Sequence, residues 1–136
     1  MKKKKIIFFA LIVLVLNLIW EFSHYQLYND LTGIPQTLHI IIASFSDVFW
    51  VFIIFFCVFL INRGIEWMEN PTKKDYFLIV IFGLVIAILI EIINLNLGRW
   101  AYKEIMPTIL GIGLSPLLQL AITGVLSLLI LKKLNP

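Results

Sequence analysis

The chain has 136 residues, of which 61% are hydrophobic and only 14% charged, and its mean hydropathy is +1.00. So few charges cannot solvate the surface of a water-soluble domain of this size. The net charge of +3 is not gathered on a soluble face, which argues against a nucleic-acid partner, and the single Cys57 excludes a disulfide framework.

Four long apolar runs follow in chain order, at about 6–25, 40–61, 76–97 and 106–131. A hydrocarbon core of ~30 Å needs about 20 helical residues at a rise of ~1.5 Å, and each run is long enough. Leu, Ile, Val and Phe fill every face without alternation of period 2, so barrel strands are not expected. The expected fold is therefore an all-α membrane protein, a bundle of four transmembrane helices forming one domain over residues 1–136. The first run follows Lys2, Lys3, Lys4 and Lys5 as a signal peptide would. It is too long for one, and residues 17–21 offer no small-x-small cleavage site.

The basic residues set the expected topology. If the N-terminus is inside, the inner segments carry Lys2, Lys3, Lys4, Lys5, Arg63, Lys73, Lys74, Lys132 and Lys133, and the outer segments carry only Arg99 and Lys103. This positive-inside bias predicts a multi-pass protein of the cell membrane with both termini cytoplasmic. The outer loop 27–38 holds the turn residues Asn29, Asp30, Gly33 and Pro35. In the inner loop 62–75, Trp67 and Met68 are expected at the headgroup level, with Pro71 opening the turn into the third helix. Tyr25, Tyr28, Tyr76, Trp100 and Tyr102 fall near interfaces, where aromatic belts belong. Arg99 is expected to snorkel to the outer headgroups, or to pair with Glu104 or an anionic lipid.

Ionisable groups at membrane depth are costly, by at least ~2.5–3.5 kcal/mol for Asp, Lys or Arg on insertion scales. Three acids fall within the spans: Glu21, Asp47 and Glu91. Glu21 and Glu91 each lie fifteen residues along an ascending helix, about 22 Å up from its start. Asp47 is seven residues down a descending one, about 10 Å below the outer edge. All three therefore share one level. Their faces agree as well. Asn17, Glu21, His24 and Tyr28 form one stripe of the first helix, and Gly83, Ala87, Glu91 and Asn94 form one of the third. Ala43, Ser44 and Asp47 share a face of the second helix; Gly111, Ser115 and Gln119 recur every four residues on the fourth. Pro116 cannot donate to the carbonyl of Ile112, so a broken fourth helix is expected. All four helices can turn a polar face to one central site.

The first and third helices both run upward, each with a Glu near the outer end and a polar residue three later. That weak repeat would relate two parallel two-helix units by an axis along the membrane normal.

The stretch with Glu91, Asn94, Gly98, Trp100 and Tyr102, continuing through Met106, Pro107, Gly111, Gly113 and Pro116, resembles a family of uncharacterised small prokaryotic membrane proteins. More distantly it resembles the lycopene cyclase domain of carotenoid synthesis, and Asn17, Trp20 and Glu21 stand in a segment similar to one in membrane terpene cyclases. These resemblances cover about a third of the chain. The cyclase domain follows its proline with paired glutamates; here Pro116 is followed by Leu117, Leu118 and Gln119.

Together these features point to acid–base chemistry on an isoprenoid or other lipid. Glu21, Asp47 and Glu91 would be the catalytic carboxyls, one donating a proton to an alkene and another taking a proton or stabilising a cation. Asn17, Trp20, His24, Trp50, Asn94, Ser115 and Gln119 would bind substrate, with Trp20 and Trp50 offering cation–π stabilisation. No metal or organic cofactor is implied, because His24, His39 and the scattered acids lack metal-ligand spacing. The expected partner is a membrane lipid or apolar small molecule, with a homodimer as one way for so few helices to enclose a pocket. Two other readings stay open: a small proton-coupled transporter or lipid-binding protein, and an accessory subunit whose acids bind a partner helix.

Overall fold

The computed structural model describes residues 3–134; Lys2, counted in the basic run, lies outside them. Four helices dominate: α1 (Lys3–His24), α2 (Gln36–Asn62), α3 (Lys73–Asn96) and α4 (Leu114–Leu134). Each is long and apolar enough to cross a membrane, and the chain is a multi-pass membrane protein built as a four-helix bundle. α1 packs on α2 and α4, α3 packs on α4 and α2, and α2 also meets α4 across the ring. One end of the bundle holds the chain termini and the α2–α3 loop. The other, here called the strand end, holds the two remaining connections.

Local chemistry explains the helix limits. α2 stops where Arg63 turns left-handed at φ 56°, beside Gly64. At the start of α3 the backbone N–H and hydroxyl of Thr72 both donate to Asp75 Oδ2 at 2.7 Å, satisfying groups that the first turn leaves without partners. Asn62 Nδ2 donates to Asp75 Oδ1 at 2.6 Å and ties the two helices together. At this terminal end the core is apolar. Phe9 stacks on Phe55, their ring centroids 4.6 Å apart, and Val13, Val51, Ile54, Val58, Ile79 and Leu128 are fully buried around them. Trp67 and Met68 are buried in this core; Trp67 packs on Phe55 with centroids 5.3 Å apart. The short helix Glu66–Met68 folds their side chains back under the bundle.

The fourth helix differs from expectation. The apolar run from about 106 becomes helical only at Leu114. Before it, β3 (Thr108–Ile109) and β4 (Ile112–Gly113) form a small hairpin whose turn holds Leu110 at φ 51° and Gly111 at φ 83°. Those left-handed residues cannot propagate a helix. Pro116 consequently sits in the first turn of α4, where its missing N–H has no intrahelical role. The helix is therefore unbroken, contrary to the break expected at that proline.

Short strands also join the two halves. β1 (Tyr28–Asp30) pairs antiparallel with β2 (Trp100–Tyr102), with Asn29 opposite Ala101. Superposing 28–30 on 100–102 makes that register its own two-fold image. The same relation appears in the helices. Residues 11–24 and 81–94 follow one identical order of exposed, intermediate and buried positions, so Glu21 matches Glu91 and His24 matches Asn94. Val13 matches Gly83, which packs directly on the backbone of Ala121 in α4.

Candidate functional site

A cavity of about 750 Å³ occupies the strand-end half of the bundle. Its walls come mainly from α2 (Ile42, Ala43, Ser46, Asp47, Trp50) and α3 (Ile86, Ala87, Leu89, Ile90, Glu91, Ile93, Asn94). α1 adds Glu21 and His24, and α4 adds Pro116, Gln119 and Leu120. Ile42, Leu89 and Ile93 line it while remaining about half exposed, so the cavity reaches the flank of the bundle between α2 and α3. Asp30, Thr32, Arg99 and Trp100 edge it at the strand end.

Two separate polar groups face this space. The first centres on Gln119. Its Nε2 lies 2.7 Å from Asp47 Oδ2, 2.9 Å from Glu21 Oε1 and 3.1 Å from Asn17 Oδ1. Glu21 Oε1 and Asp47 Oδ2 thus converge on one nitrogen. Two carboxyls gathered on one donor relieve their repulsion when a proton is held between them. Glu21 Oε1 lies 3.2 Å from His24 Nε2, and His24 Nδ1 lies 2.8 Å from Ser115 Oγ. Trp20 Nε1 donates to that hydroxyl at 3.2 Å. The result is a continuous run of polar contacts from Trp20 through Ser115 and His24 to the carboxyl pair.

The second group centres on Glu91. The Tyr102 hydroxyl donates to Oε2, and so does Trp100 Nε1 at 3.3 Å. Gly98, left-handed at φ 65°, ends α3 and turns the chain into β2. Residues two apart on a strand share a face, so Trp100 and Tyr102 both reach back to the helix they have just left. Burial, and then the Glu91 carboxyl it bonds, push the Tyr102 phenol above its ordinary range, so it stays a donor. Tyr28 packs edge-on against both, at centroid distances of 6.0 Å from Trp100 and 5.5 Å from Tyr102.

The residues singled out from sequence thus divide. Glu21, His24, Asp47, Trp50, Glu91, Asn94 and Gln119 line the cavity, whereas Asn17, Trp20 and Ser115 stand behind its wall and hold those that do. Arg99 is exposed and forms no ion pair with Glu104; its Nη1 donates to Asn94 Oδ1 at 3.1 Å. Sequence reasoning missed Tyr102 and Trp100 as partners of Glu91, having given both to an aromatic belt; the signal was their spacing of two after Gly98. It also missed a hub on Asp30, which receives Tyr25 Oη, Thr32 N at 3.0 Å, Thr32 Oγ1 at 2.7 Å and His39 Nδ1 at 3.1 Å. Among the described residues no three of His, Cys, Asp and Glu are arranged to hold a metal ion.

No family model, curated protein or solved structure matches the chain.

The Asp30 hub has a measurable consequence. Burial disfavours its charged form, but the bonds from Tyr25, Thr32 and His39 outweigh that and hold its carboxyl well below the ordinary value. A depressed folded-state pKa stabilises the loop at all pH values above the unfolded value of about 3.9, and this is lost as pH falls through the lower folded one. The Thr32 amide resonance should therefore stay flat through pH 4 and move only in stronger acid. A midpoint near 4 in an NMR titration would show an ordinary, unheld carboxyl.

Proposed function

We propose that this multi-pass membrane protein binds an apolar, lipid-derived molecule in the cavity and acts on it by acid–base chemistry at the Glu21–Asp47 pair. The observation that carries the reading is the carboxyl pair: Glu21 and Asp47 gathered on Gln119 Nε2 beside a largely apolar cavity, backed by His24 and Ser115. In this reading the protonated carboxyl gives its proton to an alkene carbon of the ligand and leaves a carbocation. Loss of a proton from a neighbouring carbon to the pair forms a new double bond and restores the starting state. The net change is an isomerisation, or a ring closure where a second alkene attacks the cation, and neither needs an oxidant. Gln119 keeps the two oxygens aimed, and Trp50 lies on the cavity wall where its ring face would support positive charge. The apolar flank between α2 and α3 supports entry from the bilayer. In this reading the strand end lies in the outer leaflet, which the positive-inside bias supports.

The test is mass spectrometry of lipid extracts from cells expressing wild type or the Glu21→Gln/Asp47→Asn variant at matched protein levels. A product isomeric with its precursor should accumulate only with wild type, since removing a general acid slows such steps by about 10²–10⁴-fold. Identical extracts from the two strains would overturn the reading.

A further inference from the structure

The two halves of the cavity do not do the same job. The carboxyls of Glu21 and Asp47 are both met by Gln119, and Glu21 by His24 as well. Glu91 is held differently. Both of its hydrogen bonds converge on Oε2, from Tyr102 and Trp100, and Oε1 receives none. The residue is only 4% exposed and its side chain lines the cavity. Oε1 is open to the cavity rather than sealed in the protein, so it can accept from a donor on a ligand held there.

We propose that Glu91 is the docking carboxylate for the charged nitrogen of an amphipathic amine. Further features of the cavity suit an amphipathic cation. No lysine lines the cavity, and Arg99, its one arginine, donates through Nη1 to Asn94. The rings of Tyr28 and Trp100 stand beside the carboxyl, and aromatic faces attract ammonium groups. The wall from Ile86 and Ile90 to the half-exposed Ile93 is apolar, which suits an alkyl chain running out to the flank. The Tyr102 and Trp100 donors fix the carboxyl's orientation, so Oε1 needs no rearrangement to meet the nitrogen. This inference rests on the reading that the cavity holds lipid-derived molecules and narrows it: an amine of suitable shape imitates the cation that protonation of an alkene would create, and groups complementary to a transition state bind its imitators tightly.

The experiment compares dodecylamine with dodecanol, which share a chain and differ in charge, binding to the purified full chain in nanodiscs of zwitterionic lipid. Calorimetry should give a dissociation constant at least ten-fold lower for the amine. In Glu91→Gln, where the amide oxygen still accepts from Tyr102, the two probes should bind alike. In Glu21→Gln the preference for the amine should persist. Equal binding of both probes to wild type would overturn the assignment while leaving the cavity as a lipid site. A preference that survives Glu91→Gln would overturn it too, placing the cation elsewhere. Failure of both probes to bind wild type would remove the lipid-binding reading itself, and this assignment with it. The wild-type comparison does not depend on any variant folding.

Discussion

Gly83→Ala should destabilise the bundle by about 1–3 kcal/mol, the range of overpacked cores, and Gly83→Leu should prevent stable assembly. A Cβ at Gly83 would stand 2.7 Å from the backbone nitrogen of Ala121 and 2.8 Å from its Cα. Both are main-chain atoms of α4, so relief requires the helices to move apart. In lipid no hydrophobic force pushes helices together, and close packing of small residues takes over that role. The intrinsic gain from replacing a helical glycine with alanine, about 1 kcal/mol, opposes the loss but does not cancel it. Gly124 provides the control. There an added Cβ meets the Ile79 Cγ2 methyl at 3.0 Å, a side-chain contact that a shift of a few tenths of an ångström relieves without parting the two backbones. Reversible unfolding in mixed micelles should rank wild type above Gly124→Ala and Gly124→Ala above Gly83→Ala. Equal stability of the two variants would mean that α3 and α4 are not held this close.

Gln119→Leu should be the most damaging single change in the polar half. One amide nitrogen serves acceptors on two other helices, Asn17 and Glu21 on α1 and Asp47 on α2. Leucine fills similar volume but removes the amide's two hydrogens; Glu21 keeps His24, while Asn17 Oδ1 and Asp47 Oδ2 lose their donor, at about 1–3 kcal/mol for each buried group left unsatisfied. The loss should be non-additive. Gln119→Leu/Asp47→Leu removes donor and acceptor together and should be less destabilised than the sum of the two single variants, because replacing both partners by apolar groups is cheaper than orphaning one. Additive losses in a double-mutant cycle would show that these contacts carry no coupling. Turnover, where it can be measured, should fall in Gln119→Leu even at temperatures where the protein stays folded, since the carboxyl pair loses the group that aims it.

Much of this was legible in the residues alone. Length and apolarity locate the four spans, and the 3.6-residue period puts Glu21, His24 and Asn17 on one stripe, all of which are buried in the bundle. Depth arithmetic brings Glu21 and Asp47 to one level, and both meet Gln119. Where the reading departs from the fold, the cause is long-range pairing or backbone geometry. Hydropathy cannot distinguish an apolar helix from an apolar hairpin, so residues 106–113 read as span. What the sequence does show there is Pro107, Gly111 and Gly113 in close succession, a poor start for a helix. The pairing of β1 with β2 joins residues some seventy positions apart, and no local pattern announces it. Equal depth also hid a division, because Glu91 takes its partners from the strand that follows it rather than from the other acids.

The opening between α2 and α3 changes how concentration is counted. A molecule that arrives through Ile42, Leu89 and Ile93 comes from a two-dimensional solvent, so occupancy follows its mole fraction in the leaflet rather than its amount in the surrounding water. Compounds of vanishing solubility still reach such a site readily, and diluting the aqueous phase leaves its occupancy nearly unchanged while diluting the bilayer empties it.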